Sequence, residues 1–190
     1  MYTKPSDLFG RHARHSDVEL LDCIAAGDRT AMHVLYQRHH DSLYAFIRQR
    51  SGNETTAQDI THDTMLEVWR RADRFAGKSA VRTWIFSIAR NKMVDGMRKS
   101  SYLSYVDAVP DIADDAPDAC TVIAAAQDGE RVRACIARLK PAQAVAIRLA
   151  FFEGMTYEQI SEVEDVPVGT VKTRIFHAKQ ALMHCLSRPA

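Results

Sequence analysis

The sequence predicts an all-α protein built from two small helical domains, and three observations predict it. Apolar residues recur at three- and four-residue spacing in one segment after another, while the alternation of a half-buried strand is nearly missing. Helix caps and stops bracket those segments. An acidic stretch with two prolines and no sustained apolar period, Asp107–Asp118 (DAVPDIADDAPD), divides the chain as a linker that need not pack.

Each element has its own warrant. Ser16-x-x-Glu19 is a capping box that opens an apolar run of Val18, Leu20, Leu21 and Ile24, and Gly27 stops it. Asp28 caps a second helix carrying Met32, Leu35, Tyr36, Leu43, Phe46 and Ile47, which ends at Gly52. A third helix is expected from about Thr56 to Ala72, with Met65, Val68, Trp69 and Ala72 on one face. A fourth runs from about Ser79 to Lys99 and buries Val81, Trp84, Ile85, Ile88, Met93 and Met97. Beyond the linker, one helix reaches Leu139, a second starts at Pro141, and two more lie around Gly154 and Val166. The expected organisation is a tail over 1–15, a first domain over 16–100, the linker over 101–123 and a second domain over 124–187.

Composition narrows the class. A chain of 190 residues with 46% hydrophobic and 26% charged residues has the balance of a globular protein, which excludes wholesale disorder. No apolar run approaches the roughly 20 residues of a membrane span, so no stable membrane insertion is expected. The segment Met1 to Arg14 lacks the apolar stretch of a signal peptide, so a cytoplasmic location is expected. Cys23, Cys120, Cys135 and Cys185 form no CxxC pair and are expected as reduced thiols. The net charge of +1 hides segregation: Trp69 to Lys99 holds nine bases and two acids, whereas Tyr102 to Gly129 holds six Asp and no base. A basic patch acts locally, within a screening length of about 8–10 Å, so these blocks matter more than the total.

The sharpest local pattern is Thr156 to Leu186. Thr156-x-x-Gln159 caps a short helix, Val166-Pro167-Val168-Gly169 turns the chain with Gly169 relaxing the backbone, and a longer helix follows. Val171, Ile175, Ala178 and Leu182 form its buried stripe, and Lys172, Thr173, Phe176, His177 and Gln180 the opposite one. From Glu153 to Asp165 there are five acids and no base; from Val166 onward there are four bases and no acid. A short helix, a tight turn and a basic second helix is the helix-turn-helix plan, in which the second helix meets base edges in the major groove. Lys172 and Arg174 suit phosphates or a guanine edge, and Thr173 and Phe176 a thymine methyl.

The first domain narrows the task. Its third helix carries Asp59, Asp63 and Glu67 at four-residue spacing, followed by Arg70 and Arg71. A basic loop, Arg74 to Arg82, contains Phe75 and Lys78 and leads into a helix with a polar stripe of Ser87, Asn91, Asp95 and Arg98. The run AQDITHDTMLEVWRRADRF followed by TWIFSIARNKMVDGMRK resembles the second conserved region of bacterial sigma factors. The run MTYEQISEVEDVPVGTVKTRIFHAKQAL resembles their fourth region. Two such motifs in order, with only a linker between, resemble an extracytoplasmic-function (group IV) sigma factor over about residues 16–187.

That resemblance implies a promoter-specificity subunit of bacterial RNA polymerase, without catalysis or cofactor of its own. It implies that Asp59, Asp63, Glu67, Arg70 and Arg71 dock on core polymerase, whose β′ and β subunits are the expected partners. It implies that Arg74, Lys78, Arg82, Trp84, Ser87, Asn91 and Arg98 capture and melt the −10 promoter element. Lys172, Thr173, Arg174, Phe176, His177 and Lys179 would read the −35 element, with His177 standing where some relatives carry an arginine. An anti-sigma factor is a further implied partner, in a stress- or signal-responsive circuit.

Plainer readings compete at several positions. Trp69 and Trp84 are expected in the core, although Trp84 lies near the basic loop. His12, His15, His39 and His40 are expected at the surface, without the helical spacing of a ligand set, and no metal site is expected. Two other classes remain open: a stand-alone helix-turn-helix regulator, and a metal-dependent hydrolase built on His62, Asp63 and Asp59.

Overall fold

The computed structural model describes residues 12–100 and 129–187, except for the side chains of residues 97–100 and 130. The expected tail up to residue 11, the linker at 101–123 and Cys120 lie outside the described residues. The chain divides into two compact units, Met1–Tyr102 and Leu103–Ala190. All regular elements among the described residues are helical, and none of these helices is long and apolar enough to cross a membrane.

In the first unit, α1 spans Asp17–Ala25, α2 Arg29–Ser51, α3 Glu54–Arg71 and α4 Val81–Ser100, with a 3-10 turn at Ala72–Arg74. The capping box forms as expected: the Glu19 backbone N–H donates to the Ser16 hydroxyl, and the Ser16 N–H donates to the Glu19 carboxylate. That backbone N–H, more than the Ser16 hydroxyl, holds the Glu19 carboxyl below its ordinary range. Asp28 caps α2 by accepting from the N–H groups of Thr30 and Ala31. Gly52 closes α2 with a φ of 66°, a left-handed geometry in which a side chain would be strained.

The core of this unit joins Leu20, Leu21 and Ile24 of α1 with Leu35, Leu43, Phe46 and Ile47 of α2, Val68 of α3, and Ile85 and Phe86 of α4. Phe46 and Phe86, both fully buried, pack with ring centroids 5.1 Å apart and tilted by 49°. Each such aromatic contributes about 1.5–3 kcal/mol by leaving water. Ile88, expected in the core, is only partly covered.

A polar tie crosses from α1 to α2. His39 Nε2 donates to Asp17 Oδ2 at 2.7 Å and Arg38 Nη1 donates to Asp17 Oδ1 at 2.9 Å. The hydrogen bond from His39, ahead of that from Arg38, holds the Asp17 carboxyl down at about 2, against the opposing effect of burial. Arg38 also donates to the backbone oxygens of Ala13 and His15, fastening the turn before α1. The surface expectation for the histidines therefore fails at two positions. His12 and His39 are both buried, because each has a carboxylate partner that offsets the loss of water.

In the second unit, α5 spans Gly129–Ala137, α6 Pro141–Ile147, α7 Tyr157–Glu164 and α8 Val168–Leu186. Pro141 opens α6, where its missing N–H costs nothing. The helix does not run on smoothly. Residues Arg148–Phe152 widen into a π turn, and Gly154 (φ 62°) ends it. Ala144 to Ile147, Leu149, Ile160, Val163, Val171, Ile175, Ala178 and Leu182 form the core.

The reduced-thiol expectation is overturned here. Cys135 of α5 and Cys185 of α8 form a disulfide across a sequence separation of 50, their Cα atoms 5.9 Å apart. The packing of α5 on α8 brings together two cysteines that the sequence keeps far apart. Cys23 is free and partly exposed.

Candidate functional site

The helix-turn-helix forms as α7, a turn and α8. Thr156 and Gln159 complete a reciprocal capping box at the start of α7. The turn differs from expectation in its pivot. Asp165 takes the left-handed conformation (φ 54°, ψ 51°), while Pro167 is the N-cap of α8 and Gly169 already lies inside that helix. A short aspartate can hold this geometry, which frees Gly169 from it.

Burial redraws the outer face of α8. Lys172 is exposed, and Phe176 and His177 are half-buried with their rings 5.4 Å apart, edge to face. Thr173 is only 2% exposed, and its hydroxyl donates to the Gly169 carbonyl at 3.0 Å. Lys179 is only 7% exposed. The expectation that Thr173 lies on the open stripe is therefore corrected, and Lys179, which the resemblance placed among the −35 residues, is covered as well: α8 packs against α5, α6 and α7, which covers more than one stripe. Arg174 is partly buried, and its Nη1 lies 3.5 Å from Glu164 Oε2 of α7. Lys172, Phe176, His177 and Gln180 make up the open arc.

In the first unit, α3 presents Asp59, Asp63, Arg70 and Arg71 to solvent. Glu67 is less free, since it pairs with Arg71 one turn on and with Lys92 of α4 at 3.8 Å. Leu66 was missed by sequence reasoning. It is 45% exposed and lines a shallow groove with Arg29, Met32 and Trp69. The available signal was its position one residue off the Met65–Val68 stripe, which turns it about 100° away from the core.

The basic loop exposes Arg74 and Lys78, with Gly77 left-handed at φ 66°, while Arg82 is half-buried. Neither tryptophan is a full core residue, because each is partly open to solvent. Trp84 packs on Phe75 with ring centroids 5.3 Å apart, tilted by 56°, so loop and helix share an aromatic pair. Trp84, Ser87 and Asn91 recur at helical spacing along one side of α4. The Ser87 hydroxyl donates to the Thr83 carbonyl, and Asn91 is exposed with its Oδ1 accepting from Arg90 Nη1 at 3.2 Å. The side chain of Arg98 lies outside the described residues.

The hydrolase trio gains no support from geometry. His62, Asp63 and Asp59 are all exposed on α3, and among the described residues they belong to no cluster able to hold a metal ion.

Comparison with known proteins gives the same two regions. Residues 35–102 match the family described as Sigma-70 region 2, and residues 129–182 match that described as Sigma-70, region 4. The ECF RNA polymerase sigma factor RpoE of Cereibacter sphaeroides is 32% identical over 161 residues, covering 84% of this chain and 88% of its own. The ECF sigma factor SigM of Mycobacterium tuberculosis is 32% identical over 179 residues, covering 93% and 87%. Among solved structures, CnrH in complex with the cytosolic domain of CnrY aligns with a TM-score of 0.62 at 25% identity, over 92% of this chain and 99% of that one. On these grounds the chain belongs to the extracytoplasmic-function sigma factors, the non-enzymatic initiation subunits of bacterial RNA polymerase.

Proposed function

We propose that the first unit (residues 16–100) docks on core polymerase and melts the −10 element, that the second (124–187) reads the −35 element, and that residues 101–123 link them in the cytoplasm. The observation that carries this division of labour is the exposed Asn91. It stands on the same side of α4 as the Phe75–Trp84 pair, beside a loop exposing Arg74 and Lys78. Melting requires no bond chemistry from the protein. It requires that the few kcal/mol lost on unstacking a base be offset by stacking and base-edge hydrogen bonds at the place that receives it. An amide that both donates and accepts suits a base edge, half-open aromatics suit stacking, and exposed bases hold the strand by its phosphates.

The face of Asp59, Asp63, Glu67, Arg70 and Arg71 supports polymerase docking, and Leu66 gives that face an apolar centre within a charged rim. On α8, the open arc favours Lys172 for a phosphate or guanine contact and Phe176 and His177 for flanking contacts. Thr173 and Lys179 are withdrawn as direct readers by their burial. Val18 and Leu66 in the first unit, and Phe152 in the second, are large exposed apolar residues, and such residues suit cover by an anti-sigma factor.

Reconstitution with bacterial core polymerase tests the reading. Asn91→Ala is expected to keep core binding and to reduce open-complex formation about tenfold, a loss of roughly 1–2 kcal/mol, seen as weaker permanganate reactivity at −10. Unchanged permanganate reactivity would remove Asn91 from the role. Lys172→Ala is expected to weaken initiation about 5- to 10-fold at promoters that carry a −35 element and to leave others unaffected. An identical start-site profile would remove α8 from −35 reading.

A further inference from the structure

We propose that His12, His15 and Cys23 form a binding site for one divalent transition metal ion of the zinc class. Among the described residues they are the one group whose ligand atoms lie close enough to share an ion, all within 4.8 Å of one another. His12 Nδ1 and His15 Nδ1 face each other at 2.9 Å, with ring centroids 4.9 Å apart. Two nitrogens bound to a common zinc at about 2.0–2.1 Å each stand roughly 3–3.4 Å apart, so only a small opening of this pair admits the ion.

The surroundings are built in the way such sites require. His12 is buried, and its Nε2 donates to Asp28 Oδ2 at 2.9 Å. A carboxylate holding the proton on one ring nitrogen leaves the other as a lone-pair donor, the arrangement found behind metal-bound histidines. Asp28 is itself fixed, because its Oδ1 accepts from the N–H groups of Thr30 and Ala31 at 2.8 and 3.1 Å. The turn carrying both histidines is fastened by Arg38, which donates to the Ala13 and His15 carbonyls at 2.9 and 2.7 Å. Cys23 comes from the far end of α1 and is free. On binding it gives its proton to solvent and coordinates as the thiolate, leaving a fourth position for water. Two imidazoles and a thiolate favour zinc or cobalt over magnesium or calcium, which prefer oxygen ligands. The bound ion would join the segment before α1, the end of α1 and, through Asp28, the start of α2.

Titration of the metal-free full chain with Co²⁺ tests this, because cobalt reports its own ligands. One equivalent is expected, giving the intense visible bands of four-coordinate cobalt and a thiolate-to-cobalt band in the near ultraviolet, both abolished by Zn²⁺. Cys23→Ser is expected to remove the thiolate band, whereas the double variant Cys135→Ser/Cys185→Ser keeps it. His15→Ala, at a partly exposed position, is expected to fold with an unchanged helical dichroism spectrum and to bind at least about tenfold more weakly. Failure to bind a stoichiometric ion at micromolar concentrations, a thiolate band that survives Cys23→Ser, or His15→Ala binding as tightly as the parent would each overturn the site.

Discussion

The two units reach stability by different routes. The first sets a nine-residue helix and three long ones of 23, 18 and 20 residues around a core in which Phe46 meets Phe86. The second has helices of only 9, 7 and 8 residues beside the 19-residue α8, and adds a disulfide from α5 to α8. Short helices bury little apolar surface each, and small domains commonly need a covalent or metal staple to offset chain entropy. The contrast teaches that two segments of one chain, each with the same pattern of caps and apolar stripes, differ in how much of their stability lies in packing and how much in a cross-link.

The sharpest way to break this contrast is to damage the aromatic core of the first unit. Phe46→Ala should cost about 3–5 kcal/mol, read as a lower unfolding transition of that unit by chemical denaturation. The transition of the second unit should stay in place. Next in size is the disulfide: Cys135→Ser, or reduction of the parent, should destabilise the second unit by about 2–4 kcal/mol and leave the first unchanged. A shift shared by both units would contradict the assignment of the cross-link to one of them. The smallest effect concerns acid. The Asp17 carboxyl sits at about 2 in the folded unit, below its ordinary 3.8, so its ties to His39 and Arg38 stabilise above about pH 4 and are lost as pH falls toward 2. With Asp17 partly open to solvent the contribution is roughly 1 kcal/mol, so Asp17→Asn and the parent should differ by that amount at pH 6 and converge near pH 2.

What the sequence made legible was local. Ser16 with Glu19 and Thr156 with Gln159 form the capping boxes expected of them, and Gly52 stops α2 as read, because each signal needs partners only one turn away. What it hid was distant. The partnerships of Cys135 with Cys185, His39 with Asp17 and His12 with Asp28 join residues separated by 50, 22 and 16 positions, and only helix packing decides them. The −35 reading suffered from the same cause on a smaller scale. A single apolar stripe sorted α8 into one buried and one open side, but a helix lodged against three others loses more of its surface, and Thr173 and Lys179 went with it. Leu66 is the opposite case, an apolar residue that periodicity puts off the core and that stands open as that spacing implies.

The Glu164–Arg174 pair carries a consequence for how α8 meets a polyanion. Lys172, open to water, would displace condensed counterions when it reached a phosphate, and each such displacement steepens the fall of affinity with salt by about one unit on a logarithmic plot. Arg174 already has an anion beside it, so under the proposed −35 reading a phosphate would have to take the place of Glu164. The arginine would thus exchange one anion for another and add little to the salt dependence. On that reading, two bases two residues apart on one helix would be given different work: one would supply affinity that ionic strength can tune, and the other would be held in reserve by its own protein.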